Sequence, residues 1–262
     1  VVFVGGISPQ LEGEEMPIEI SGFKGGDRTN IELPKVQRNF LKALKEAGKK
    51  VVFVNCSGSA IALTPETESC DAILQAWYPG QEGGEAVARV LFGEYNPAGK
   101  LPVTFYKNSE QLPDFKDYSM KGRTYRYMND ALFPFGYGLS YTSFRIGDAQ
   151  LSATSFGKDG KITLTIPVNN VGKKDGTETI QVYVKDPTDA DGPLKSLKAY
   201  QRVAVKAGQT VNAIITLDSK SFELFDATTN TVRTKGGKYE VYYGNSSADK
   251  DLKKVNVKLK IN

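Results

Sequence analysis

"PKVQRNFLKALKEAGKKVVFVN" occupies residues 34–55, and it joins a helix pattern to a strand pattern. Val36, Phe40, Leu44 and Ala47 recur at spacings of three or four, which lines one face of an α-helix. Pro34 suits the helix start, where its missing N–H removes no bond. Gly48 suits the C′ stop, where left-handed backbone is needed. Val51–Val54 then forms an uninterrupted apolar run that repeats the one at Val1–Val4, and such runs are what parallel strands covered on both faces require.

Working outward, "VVFV" at 1–4 has the same letters as 51–54, and "DAILQAW" at 71–77 reads as a third strand. "EGGEAVARVLFG" at 82–93 reads as a second helix ending at Gly93. The order β-α-β-…-β-α predicts an α/β sandwich domain on an open, mainly parallel sheet over residues 1–120. Such sheets bind ligands beyond the carboxyl ends of their strands. Three polar, glycine-rich turns fall there: "GGISPQLEGEE", "NCSGSA" and "YPGQEGGE". None is a GxGxxG or Walker A sequence, and Glu82 and Glu85 would repel a phosphate at the second helix. A nucleotide-binding domain is therefore disfavoured.

Beyond residue 148 the pattern changes. "KITLTIPVNN", "TETIQVYVK", "LKAYQRVAVKAG", "QTVNAIITL", "GKYEVYYG" and "KKVNVKLKI" are short, mostly alternating and rich in Val, Ile, Thr and Tyr. With "AQLSATSF" at 149–156 they make about seven strands, the count of an all-β fibronectin III- or immunoglobulin-like sandwich over 148–262. Residues 121–147 are too irregular for an element and too aromatic for a passive linker, and read as a packed connection.

Composition narrows the chemistry. The 262 residues are 40% hydrophobic and 24% charged, with a net charge of +4 and scattered lysines. That balance argues against a nucleic-acid partner, and no run is apolar enough to span a membrane. Histidine is absent, which removes Ser-His-Asp and Cys-His nucleophilic systems and histidine metal sites. Cys56 and Cys70 are too far apart for a CxxC motif and read as small buried residues. No metal or cofactor is expected, so carboxylates are the candidate agents. The chain opens on a strand without an initiator Met or a charged-then-apolar leader, as a piece of something longer would.

Four glutamates, Glu12, Glu14, Glu15 and Glu19, crowd the loop after the first strand. A catalytic acid needs a carboxyl whose pKa is raised by burial or by neighbouring negative charge, and crowding supplies the second condition. The Asp27–Arg28 pair downstream suits either loop architecture or a hydrogen bond to a polar substrate. Trp77 and Tyr78 close the third strand, where their rings suit either a sugar face or interior packing.

"PGQEGGEAVARVLFGEYNPAGKLPVTF" (79–105) and "YRYMNDALFPFGYGLSYTSF" (125–144) resemble two signature stretches of glycoside hydrolase family 3. "GGDRTNIELPKVQRNFLKAL" resembles that family's "DR-x3-L-P-x-x-Q" segment, and "NVGKKDGTETIQVYV" the opening of its fibronectin-like domain. The resemblance implies a retaining β-glucosidase or β-xylosidase acting on β-linked gluco- or xylo-oligosaccharides. It implies an N-terminal (β/α)8 barrel, absent from this chain, that carries the aspartate nucleophile in an "SDW"-like motif. Relatives place the acid/base glutamate just before the "DR" pair, on the α/β domain. Here "MPIEISGFKG" intervenes, and the match from the strand side favours Glu14, with Glu12 second and Glu15 third; Glu19 stays open. Asp27, Arg28 and Trp77, from the reading of the residues above, are the candidate substrate contacts. The aromatic residues of 125–141 are expected to join the domains, and bacterial relatives imply a periplasmic or secreted location. The competing readings are a carbohydrate-binding or scaffolding module without catalysis, and a flavodoxin-like nucleotide domain joined to an adhesion sandwich.

Overall fold

The computed structural model describes residues 1–12, 17–226 and 228–261. The chain divides into two units. The first comprises residues 1–95, 103–123 and 130–133; the second comprises 96–102, 124–129 and 134–262. The aromatic segment 121–147 is thus shared between them.

The first unit is an open α/β layer. Strands β1 (Val2–Gly6), β2 (Val52–Cys56) and β3 (Ala72–Gln75) pair in that order, all parallel. Helix α1 (Lys35–Glu46) links β1 to β2, α2 (Thr64–Ser69) links β2 to β3, and α3 (Gly83–Leu91) follows β3. Gly48 and Gly93 take φ of 70° and 75° just past α1 and α3, as their helix-stop positions require. Central β2 fits the expectation of a strand covered on both faces, since Val51, Phe53 and Val54 are buried. Edge strand β1 does not. Phe3 packs on Phe40 and Phe53, while Val2 and Val4 on the opposite face remain 55% and 64% exposed.

Helix α1 is rotated relative to the face its apolar spacing predicts. Val36 is 76% and Phe40 49% exposed, and Ala47 is exposed too. The inward face instead carries Gln37, Arg38, Leu41 and Leu44. Polar partners decide this. Arg38 donates from Nε and Nη2 to both oxygens of Glu66, at 2.7 and 3.2 Å, and to the Ala62 carbonyl at 3.1 Å. Glu66 lies fully buried on α2, a helix too short and polar to show in the apolar periodicity. Gln37 reads the end of β1, accepting from Gly6 N and donating to Gly6 O, both at 2.8 Å. Leu41, also fully buried, adds about 1.5–3 kcal/mol of apolar burial on the same face.

Removing Arg38 would strand the Glu66 carboxylate away from water. Arg38→Met is therefore expected to destabilise the first unit by on the order of 3 kcal/mol, seen as a lower urea midpoint. A companion Glu66→Leu should restore most of the loss, and an unchanged midpoint for Arg38→Met alone would refute the argument.

The residues that separate the glutamate loop from Asp27 are structured where they are described. Glu19–Ile20, Phe23–Lys24 and Asp27–Arg28 form a small antiparallel sheet, with Phe23 buried in the unit's core. Gly25 and Gly26 make its two-residue turn with φ of 63° and 82°, the signs a type I′ hairpin needs.

The second unit is an antiparallel β-sandwich. Strand β4 (Lys161–Asn170) pairs with β7 (Thr210–Asp218) and with short strands at 144–146 and 150–151. The facing sheet runs β6 (Ser196–Val205), β5 (Gly176–Lys185), β8 (Gly237–Gly244), β9 (Leu252–Lys260), with a parallel strand at 155–157 closing its edge. Alternation fills the core: Ile162, Leu164, Ile166 and Val168 from β4 meet Ile180, Val182 and Val184 from β5. Central β5 buries its other face too. Tyr125 and Phe135 stack with centroids 4.5 Å apart, and Tyr125 meets the Tyr183 ring edge-on at 5.7 Å. Gln181 Nε2 donates to Gly136 O and Asn245 O at 3.0 and 2.9 Å. Half of the aromatic segment therefore serves as a lid on β5, within this unit.

Candidate functional site

Parallel pairing brings the ends of β1, β2 and β3 side by side, and the loops that leave them converge. After β1 the backbone turns into the helical segment Pro9–Glu12. Ser8 caps it, its Oγ accepting from Leu11 N at 3.1 Å, and Pro9 occupies the first helical position. This turn directs Glu12 toward the other two loops. Tyr78 Oη, after β3, donates to Glu12 Oε2 at 2.9 Å, and Ser59 Oγ, after β2, donates to Glu12 Oε1 at 3.3 Å.

Arg28 enters from the small antiparallel sheet. Its Nη1 donates to Ser59 Oγ at 2.8 Å and its Nε to Asn30 O at 3.2 Å. Nη2 is buried and has no hydrogen-bond partner among the described residues. Burial lowers the Arg28 pKa, with Glu12 and Glu32 pulling the other way. Behind Ser59 lies a polar cluster: Ser57 Oγ donates to Ser59 O at 2.8 Å, and Asn55 Nδ2 donates to Gln75 Oε1 at 2.6 Å. Asn55 is fully buried on β2.

The remaining candidates separate. Asp27 is exposed, and its Oδ1 accepts from Arg28 N at 2.9 Å, which fixes the hairpin. Trp77 is half-buried, edge-on to the buried Phe105 at 6.1 Å, and takes φ of 57°, a left-handed value that is strained for a bulky side chain. Glu14 and Glu15 lie outside the described residues. Glu19 is exposed on the small sheet. Ser59 is the site residue that sequence reasoning did not single out. The "NCSGSA" turn was legible as a strand-end loop, but nothing in its letters marks one serine over another.

A groove of about 430 Å³ opens at the end of β1, lined by Gly5, Ile7, Leu11, Gln37, Cys56 and Tyr78 among others. Cys56 and Cys70 are free thiols whose pKa values burial raises, that of Cys70 to about 11. Tyr78 is likewise raised, first by burial and then by its bond to Glu12, which keeps the hydroxyl protonated as a donor. Among the described residues, no helix is long and apolar enough to cross a membrane.

An open parallel sheet whose strand-end loops meet on a carboxylate, followed in sequence by an antiparallel sandwich, defines a modular α/β-plus-β protein with its site on the α/β part. The chain belongs to glycosyl hydrolase family 3. Residues 1–141 match that family's C-terminal domain, and residues 178–247 match the fibronectin type III-like domain. It is 67% identical over 260 residues to a xylan 1,4-beta-xylosidase of Xylanibacter ruminicola, covering 99% of this chain and 30% of that protein. It is 38% identical to a periplasmic beta-glucosidase of Salmonella typhimurium, covering 86% of this chain and 31% of that protein. Among solved structures, a family 3 beta-glucosidase of Bifidobacterium adolescentis superposes with a TM-score of 0.85 at 28% identity, over 98% of this chain and 38% of that one. A Listeria innocua beta-glucosidase in complex with glucose superposes at 0.81 and 28% identity, over 98% of this chain and 36% of that one. The chain spans about a third of the length of the curated relatives it matches.

Proposed function

We propose that this chain supplies the acid/base glutamate and part of the sugar pocket of a retaining β-glycosidase. The observation that carries the reading is the clamped Glu12 carboxylate at the strand ends, two residues ahead of Glu14. Both Glu12 oxygens already accept hydrogen bonds from within the chain, so Glu12 serves as an anchor. Glu14 is then the acid/base, protonating the leaving oxygen and later deprotonating the water that releases the sugar. The partner nucleophile, an aspartate, comes from a (β/α)8 barrel in the part of the relatives' length beyond this chain, about 5–5.5 Å from the acid/base carboxyl. Arg28, with a buried donor to spare, suits a hydroxyl or carboxylate in that site; Asp27 and Trp77 support its walls.

The substrate class is a β-linked xylo- or gluco-oligosaccharide. The 67% identity to a protein named xylan 1,4-beta-xylosidase, against 38% to one named beta-glucosidase, favours xylosides. A periplasmic or secreted location follows from the same analogy. The domain reading is an α/β domain over 1–120, a packed aromatic connection over 121–147 and a sandwich over 148–262.

With the nucleophile elsewhere, the 262-residue chain alone should not turn over aryl β-xylosides or aryl β-glucosides. Release of nitrophenol by the purified chain, above that of a Glu14→Gln control, would remove the barrel from the mechanism.

A further inference from the structure

The loops after β2 and β3 hold a carboxylate carried by the segment after β1, and the holding is built rather than incidental. Tyr78 is fixed from beneath: a Cβ at Gly58 would lie 2.5 Å from the Tyr78 ring, so only glycine admits the ring there. Trp77, immediately before it, takes the left-handed φ of 57° that turns the chain out of β3. Ser59 is fixed by Arg28 on its hydroxyl and by Ser57 on its carbonyl.

We infer that Tyr78 is a positioning residue for the general-acid step, because its bond to Glu12 latches the Pro9–Glu12 turn, which stands two residues ahead of Glu14 in the sequence. The inference rests on the assignment of Glu14 as the acid/base. A proton donor works only within hydrogen-bond reach of the leaving oxygen, and a displacement of about 1 Å lowers the rate by up to about a hundredfold. Ser59 is the second arm of the latch. Its bond to Glu12, at 3.3 Å, is longer than the 2.9 Å bond from Tyr78, so Tyr78 is the stronger arm.

The test uses the whole enzyme that carries this chain. Tyr78→Phe keeps the ring over Gly58 and removes only the hydroxyl. Two xylosides are compared: xylobiose, whose leaving sugar must be protonated, and a dinitrophenyl xyloside, whose leaving group departs unaided. The expected result is a loss in kcat/KM of about ten- to a hundredfold on xylobiose and under about threefold on the dinitrophenyl substrate. Ser59→Ala should show the same split at smaller size, and it serves as the readout if Tyr78→Phe lowers the melting temperature. Equal losses on both substrates would reduce Tyr78 to a structural residue, and no loss on xylobiose would remove the latch. If Glu14→Gln itself shows no split, the acid/base assignment fails. If Glu14→Gln shows the split and Tyr78→Phe does not, the latch alone fails.

Discussion

Glu14→Gln in the whole enzyme is expected to lower kcat/KM on xylobiose by about a thousandfold and on a dinitrophenyl xyloside by less than about tenfold. The difference comes from the leaving group. A sugar alkoxide cannot depart from the anomeric carbon without a proton, whereas a dinitrophenolate can. Glutamine keeps the size of the side chain and removes the proton. On the activated substrate kcat should still fall, because in the proposed mechanism the same carboxylate later deprotonates the water that releases the sugar. Azide needs no base and meets no repelling carboxylate in the variant, so it should restore kcat and yield a glycosyl azide of retained configuration. Glu12→Gln provides the contrast. Its new amide would face two hydroxyl donors, from Tyr78 and Ser59, and loosen the latch. Its loss on xylobiose should be tenfold rather than a thousandfold, to within about a factor of three, and azide should not rescue it, because Glu14 remains. If azide rescues Glu12→Gln and not Glu14→Gln, the two roles are exchanged.

The parts of the fold that show in the letters are those set by backbone periodicity. The repeated VVFV runs, the glycine stops at Gly48 and Gly93, and the alternation of Ile162, Leu164, Ile166 and Val168 each follow from one strong local rule. What stayed hidden was set by partners distant in sequence. The apolar spacing of α1 points Val36 and Phe40 inward, but Arg38 finds a buried carboxylate 28 residues away, and Gln37 finds the end of β1. A charged residue with such a partner outweighs one valine of apolar burial. The small sheet at 19–28 shows in the letters only as intervening sequence, because strands of two residues are too short to show alternation. Its glycine pair was the signal that could have found it. At the site, the glutamate cluster was visible and the clamping of Glu12 was not. Which carboxylate is clamped depends on Ser59 and Tyr78, which lie 47 and 66 residues from Glu12.

Gly6→Ala should damage the first unit severely, lowering its stability by at least about 3 kcal/mol. Gly6 closes the pairing of β1 with β2 opposite Cys56, at φ of 125°, where side chains other than hydrogen are strained. An added Cβ would sit 1.9 Å from the Cys56 carbonyl oxygen and 2.7 Å from its carbon, and both are backbone atoms that no rotamer change can move. Relief would require the end of β1 to lift from β2. That would break the bond from Ile7 N to Cys56 O at 2.9 Å and both bonds between Gln37 and Gly6. Ile7 would be drawn from the core with it. Because Gly6 also opens the segment that ends in Glu12, the variant of the whole enzyme should lose activity on xylobiose and on the dinitrophenyl xyloside alike, unlike Tyr78→Phe. Gly25→Asn tests whether left-handed backbone alone explains the effect. Gly25 sits at φ of 63° with nothing within 4 Å of its Cβ position, and asparagine tolerates that region, so the loss there should stay under about 1 kcal/mol. Equal urea midpoints for the two variants would mean that the close approach to Cys56 relaxes without consequence, and that the end of β1 is not what holds the glutamate segment in place.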